Sequence, residues 1–122
     1  MTIKTIEMPK RIQRRRTKGW RMPPDAIYVG RPTQWGNPFS VHQVGQVWRV
    51  THAGVDDQPF ATQQDAITVS LLRYQQWAIV QSLLQPDWLA ALRGQDLACW
   101  CQPNAPCHAD ILLDLANQTE QA

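Results

Sequence analysis

Cys99-Trp100-Cys101 and, shortly after, Pro106-Cys107-His108 gather the most reactive side chains of this 122-residue chain. Three thiols and an imidazole admit three readings. The first is metal: zinc takes tetrahedral sets of Cys and His, and Cys99, Cys101, Cys107 and His108 would make a complete shell. The spacing is unusual for that, because zinc motifs commonly leave two residues between paired cysteines. Adjacent Cys107 and His108 would also have to turn to one ion, and Cys99 would meet Cys101 with the strand ending between them. The second reading is a catalytic constellation, with Cys107 near the N-cap of a helix entered through Pro106. Free N–H groups and a partial positive charge at that end stabilise a thiolate and bind anions such as phosphate. His108 would share the first turn, where the dipole disfavours its protonated form, and Asp110 could orient the imidazole or accept a ribose hydroxyl. The third is structural, since cysteine is among the most buried residue types and Cys99 in a strand would simply be core.

A second unusual stretch is Arg31-Pro32-Thr33-Gln34-Trp35-Gly36-Asn37-Pro38-Phe39, which follows Gly30. Its glycines permit close backbone approach or positive φ, and its prolines stiffen what lies between. The expected ligand-binding set is Gly30, Arg31, Thr33, Trp35, Gly36 and Asn37, joined by Cys101. Trp35 would stack on a planar molecule, Arg31 would meet phosphate, and Asn37 a base edge or sugar. The competing reading has Trp35 and Phe39 plugging the core while Asn37 caps a turn.

Charge is distributed unevenly. Up to Arg31 there are nine Lys and Arg against Glu7 and Asp25, a net of +7; the remainder has three basic and eight acidic residues, a net of −5. A basic head on an acidic body suits an anionic partner. Arg14, Arg15, Arg16, Lys18 and Arg21 are accordingly candidates for phosphate or nucleic-acid contact, with a solvated arm as the alternative. His42 and His52 stand apart and read as surface residues.

These groups need elements to position them. Ala26–Gly30 and Asp96–Trp100 read as short buried strands, and Gln46–Thr51 as a third candidate. The segment 52–59 reads as a turn or surface loop. Thr62 is a plausible N-cap for a helix reaching Leu84, with Ile67, Leu71, Tyr74 and Ala78 on one face. A short helix over 87–92 closes at Gly94. A last helix over 109–117 turns Ile111, Leu112 and Leu115 inward. A strand joined through a long helix to another strand is the βαβ pattern, which favours a parallel pair. The expectation is therefore a small Rossmann-like α/β domain, two- or three-layered, with a short mainly parallel sheet. Residues 1–24 form a partly ordered basic arm, 25–118 the domain and 119–122 a flexible tail. Ligands of open α/β sheets bind outside the carboxyl ends of the strands, where both unusual loops would lie. No apolar stretch approaches the ~18 residues a membrane span needs, no signal core is evident, and three cysteines suit a reducing cytoplasm.

Several stretches together resemble one family. Residues 12–23 match its opening, Tyr28–Thr33 with Trp35–Phe39 its central loop, and Leu92–Gly94, Leu97–Cys101 and Cys107–Asp110 its end. This is the bacterial and phage domain of unknown function 4326, and the resemblance covers about residues 11–117. A weaker similarity is to the Rossmann-like domain of unknown function 488, which also ends in a strand followed by a Cys-His pair at a helix start. These resemblances imply an α/β domain with its site at those loops, in nucleotide or nucleic-acid metabolism. The leading expectation is a nucleotide- or nucleoside-binding domain acting as a hydrolase or transferase. Cys107, His108 and Asp110 would be its reactive edge, with no cofactor required. The alternative is a small nucleic-acid-binding or host-interaction module whose Cys/His segment is structural, with zinc on Cys99, Cys101, Cys107 and His108.

Overall fold

Leu97-Ala98-Cys99 is an apolar triplet at most 1% exposed, and its backbone polar groups need partners on both edges. In the computed structural model, which describes residues 8–118, that triplet is the central strand of a sheet. The expected tail over 119–122 and the first seven residues of the basic segment lie outside the described residues. In chain order the strands are β1 (Arg11–Gln13), β2 (Ile27–Tyr28), β3 (Ser40–Val44), β4 (Val47–His52), β5 (Val55–Asp56) and β6 (Leu97–Cys99). The helices are α1 (Gln63–Leu84), α2 (Asp87–Ala90) and α3 (His108–Ala116). Both β1 and β2 flank β6 in parallel, so that Ala98 faces Ile12 on one side and Tyr28 on the other.

The chain is thus mixed α/β, and the expected parallel pairing of the strands before the two unusual loops holds. Two features differ from the expectation. β1 arises within the segment read as a basic arm, where Arg11, Ile12 and Gln13 show no apolar run; its hold comes from Leu97 N–H donating to Lys10 O and Arg14 N–H donating to Cys99 O. The sheet is also not mainly parallel as a whole, because β3, β4 and β5 form a separate antiparallel sheet. Val44 pairs with Val47 across the two-residue turn Gly45-Gln46, with Gly45 at φ +62°, and a leading glycine suits such hairpins. The stretch 52–59 is not all loop: His52 pairs with Val55 around Ala53-Gly54, and both turn residues have positive φ.

α1 begins where Thr62 caps it, its hydroxyl accepting from Asp65 N–H. It buries Ala66, Ser70, Tyr74 and Ala78. Tyr74 and Ala78 were expected there, but small residues replace Ile67 and Leu71 because α1 lies close against β3 and β4. α1 also packs on α3, and α3 packs on β6 and β1. The two helices therefore link the sheets. α3 buries His108, Ala109, Leu112 and Ala116, while Ile111 and Leu115 are half-buried. The core between them holds Val29, Tyr74, Leu92, Leu97, Cys99 and Leu112.

Candidate functional site

The three parallel strands deliver their carboxyl ends to one edge, and the chain leaves that edge as the loops 30–39 and 100–107. Between these loops and α1 lies a cleft of about 580 Å³. Tyr28, Gly30, Arg31 and Asn37 line one part, Cys99, Trp100, Cys101, Cys107 and His108 another, and Ile67 and Leu71 of α1 give it an apolar wall. That wall explains why these two apolar residues are not in the core.

The cysteines meet at the floor. One ligand atom from each of Cys99, Cys101 and Cys107 lies within 4.8 Å of the other two, and the Cys107 and Cys99 sulfurs are 3.3 Å apart. Residues two apart on an extended chain project to the same side. The meeting of Cys99 and Cys101 therefore does not depend on the strand ending between them, although β6 does end at Cys99. Cys107 is the N-cap of α3, as the sequence predicts, with extended backbone at φ −150°. Its thiol is pushed up overall: a hydrogen bond with Cys101 favours the thiolate, but the contact with Cys99 and burial outweigh it.

His108 reaches one of the thiols and stands outside the group of three. Its Nε2 donates to Val29 O at 2.8 Å, leaving Nδ1 3.7 Å from the Cys107 sulfur. Its ring packs edge-on to Tyr74. Burial is the main cause that lowers its pKa, so the imidazole is neutral at neutral pH. Asp110 is exposed and acts on His108 by charge alone. It takes an ion pair from Arg11 at 3.0 Å, and Arg11 also donates to the carbonyls of Gln102 and Pro103. Arg11 thereby fastens β1 to the cysteine loop.

The loop 30–39 is held largely by its own bonds. A Cβ on Gly36 would come within 3.1 Å of the Arg31 backbone, and one on Gly30 would run into the Tyr28 ring. Close approach, not positive φ, fixes both glycines. Arg31 Nε donates to Asn37 O, and Thr33 Oγ1 donates to Gly30 O. Trp35 faces the core, its indole N–H on Trp88 O, and lines no part of the cleft. Asn37 reaches the cleft wall with its amide engaged on both ends, donating to Ser70 Oγ and accepting from Phe39 N–H.

The aromatic surface comes from elsewhere. The Arg14 guanidinium lies 4.6 Å from the Tyr28 ring centroid and 4.8 Å from that of Trp100, and Arg16 lies 4.9 Å from Trp100. Trp100 is 41% exposed. Sequence reasoning placed both Tyr28 and Trp100 in buried strands. The signal was alternation, which sends Trp100 away from its two neighbours. Arg15, Lys18 and Arg21 are exposed and line no part of the cleft.

The family model described as Domain of unknown function (DUF4326) matches residues 12–118, a span that opens within β1 and closes just after α3. Neither a curated protein nor a solved structure matches the chain.

Proposed function

We propose, for a chain that belongs to the family DUF4326, that the cleft binds a nucleotide- or nucleoside-like molecule and that the domain acts on it as a hydrolase or transferase. The observation that carries this reading is the stack of Tyr28, Arg14, Trp100 and Arg16 beside a 580 Å³ cleft. Small-molecule sites fall in roughly the 300–1,000 Å³ range and combine apolar walls with a few polar groups. Here Ile67 and Leu71 supply the wall, Arg31 in the lining and Arg14 and Arg16 beside it suit phosphate, and Trp100, 41% exposed, suits a base that takes the place of a guanidinium on its ring. The parallel sheet is read as a reduced Rossmann-like layer, binding at the carboxyl ends of its strands. The reactive edge is the cysteine cluster with His108 behind it, in a reducing cytoplasm that leaves the three cysteines without disulfides.

Calorimetric titration with nucleosides and with nucleoside mono-, di- and triphosphates tests this. Saturable binding of at least one class is expected, and Trp100→Ala should weaken it roughly 5- to 150-fold, since stacking on an aromatic is worth about 1–3 kcal/mol. If no member binds at millimolar concentration, the reading fails. A second reading draws on Arg15, Arg16, Lys18 and Arg21, all exposed, with Arg16 against Trp100: a nucleic-acid-binding module. Oligonucleotide affinity that falls steeply with salt, with a slope reduced in Arg15→Gln/Lys18→Gln, would favour it.

A further inference from the structure

Three cysteines drawn together at the floor of a cleft need a reason beyond packing. Cys99 and Cys107 are 1% and 4% exposed, whereas Cys101 is half-buried at the cleft surface. The group contains no carboxylate and no histidine. An all-sulfur donor set is wrong for calcium or magnesium, which take oxygen ligands. Its sulfurs gather within 4.8 Å of one another, round a single ion and not spread over the separate irons of a cluster, and it lacks the paired imidazoles of a blue-copper site. Zinc–sulfur bonds of about 2.3 Å at tetrahedral angles put the sulfurs roughly 3.8 Å apart. Separations of 3.3 Å and up to 4.8 Å bracket that value, so small side-chain rotations suffice.

The surroundings suit the charge. Three thiolates on a divalent ion carry a net negative charge, and the Arg11 guanidinium sits on the carbonyls of Gln102 and Pro103, just after Cys101, while the start of α3 lies at Cys107. A helix N-terminus adds a partial positive charge. The fourth ligand of a closed Cys₃His shell would have to be His108: its Nδ1 is free and 3.7 Å from the Cys107 sulfur, but it stands outside the 4.8 Å within which the three sulfurs gather. All three cysteines line the cleft.

From this geometry we propose that Cys99, Cys101 and Cys107 bind one zinc-class ion through three thiolates, with the fourth coordination position open to the cleft. Such an open position is the mark of catalytic rather than structural zinc. The proposal is independent of the ligand class assigned above.

Elemental analysis of the untagged full chain should find about one zinc per chain. Thiol-reactive dye should label the protein slowly until a chelator is added. After replacement by cobalt, the visible spectrum should show sulfur-to-metal charge transfer and tetrahedral bands. These bands should shift when a small thiol or azide takes the fourth position. Cys101→Ser should lose most of the metal, and His108→Gln, checked for folding by its circular dichroism, should retain it. The proposal is overturned by metal at trace level, together with labelling of Cys101 that a chelator does not accelerate. It is also overturned by cobalt bands that ignore added ligand, or by a folded His108→Gln protein that loses metal as Cys101→Ser does. Nucleotide binding is scored separately, so its failure with zinc retained would remove only the earlier reading.

Discussion

At the residue scale, the cleft wall depends on a closed ring of three hydrogen bonds. Asn37 donates to Ser70 Oγ at 3.0 Å, Ser70 donates to Phe39 O at 2.7 Å, and Phe39 N–H returns to Asn37 Oδ1 at 2.8 Å. The ring ties the 30–39 loop to α1 and occupies groups that the sequence assigned to a ligand. Asn37→Ala leaves the Phe39 N–H without its acceptor and the Ser70 hydroxyl without one donor, in a part-buried setting. The expected cost is about 1–3 kcal/mol, read as a lower Tm and a lower urea midpoint. An unchanged midpoint would show that Asn37 is free to bind ligand. The same distinction separates Trp35 from Trp100: one indole is spent on Trp88 O, the other remains 41% exposed. Residue type alone does not reveal which of two tryptophans has been used by the fold.

At the element scale, legibility followed pattern length. α1 was readable because a Thr cap, 22 residues free of Gly and Pro, and Pro86 mark it, although its apolar period placed only Tyr74 and Ala78 in the core, and the parallel pair was readable because each strand is apolar and precedes a loop full of breakers. The location of the site followed from those two strands. β3 was not legible: Ser40, Val41, His42, Gln43 and Val44 do not alternate cleanly, and its pairing depends on β4 across Gly45-Gln46. β1 was hidden for a different reason. Its residues are polar by type, and an edge strand can be held by backbone bonds and one arginine instead of apolar area. The β4–β5 turn shows a local mismatch between sequence and structure, since Ala53 sits at φ +55°, a region that costs a residue with a Cβ roughly 1–2 kcal/mol. Asn tolerates this region and Asn-Gly is the favoured pair for such turns. Ala53→Asn should therefore stabilise the domain by about 0.5–1 kcal/mol, within the usual range for such repairs. A thermal scan in which the variant melts no higher than the parent would refute the turn assignment.

At the scale of the whole molecule, the question is whether the basic N-terminal segment is an arm or part of the domain. The contacts favour the second. Without β1, the strand β6 would lose one of its two neighbours, leaving the buried Leu97-Ala98-Cys99 at an open edge. Arg11 would no longer bind Asp110 or the carbonyls of Gln102 and Pro103, so the cysteine loop would lose its tether as well. A chain beginning at Arg14 gives up several backbone bonds and one ion pair. At roughly 1 kcal/mol for each net hydrogen bond, the loss is on the order of 3–5 kcal/mol, a large share of the 5–15 kcal/mol typical of a domain. Its urea transition should shift far towards lower concentration, and thiol labelling of Cys101 should accelerate. Replacing the exposed Arg15 and Lys18 by Gln in the full chain should leave the transition within about 0.5 kcal/mol of the parent, as surface changes usually do. Equal stability of the truncated and full chains would mean that the segment is a solvated arm. A truncated chain that unfolds early beside a charge-neutralised one that does not would assign the basic segment a double part: Arg11–Gln13 as a strand that closes the sheet, and Arg15 and Lys18 beyond it as surface charge with no share in stability.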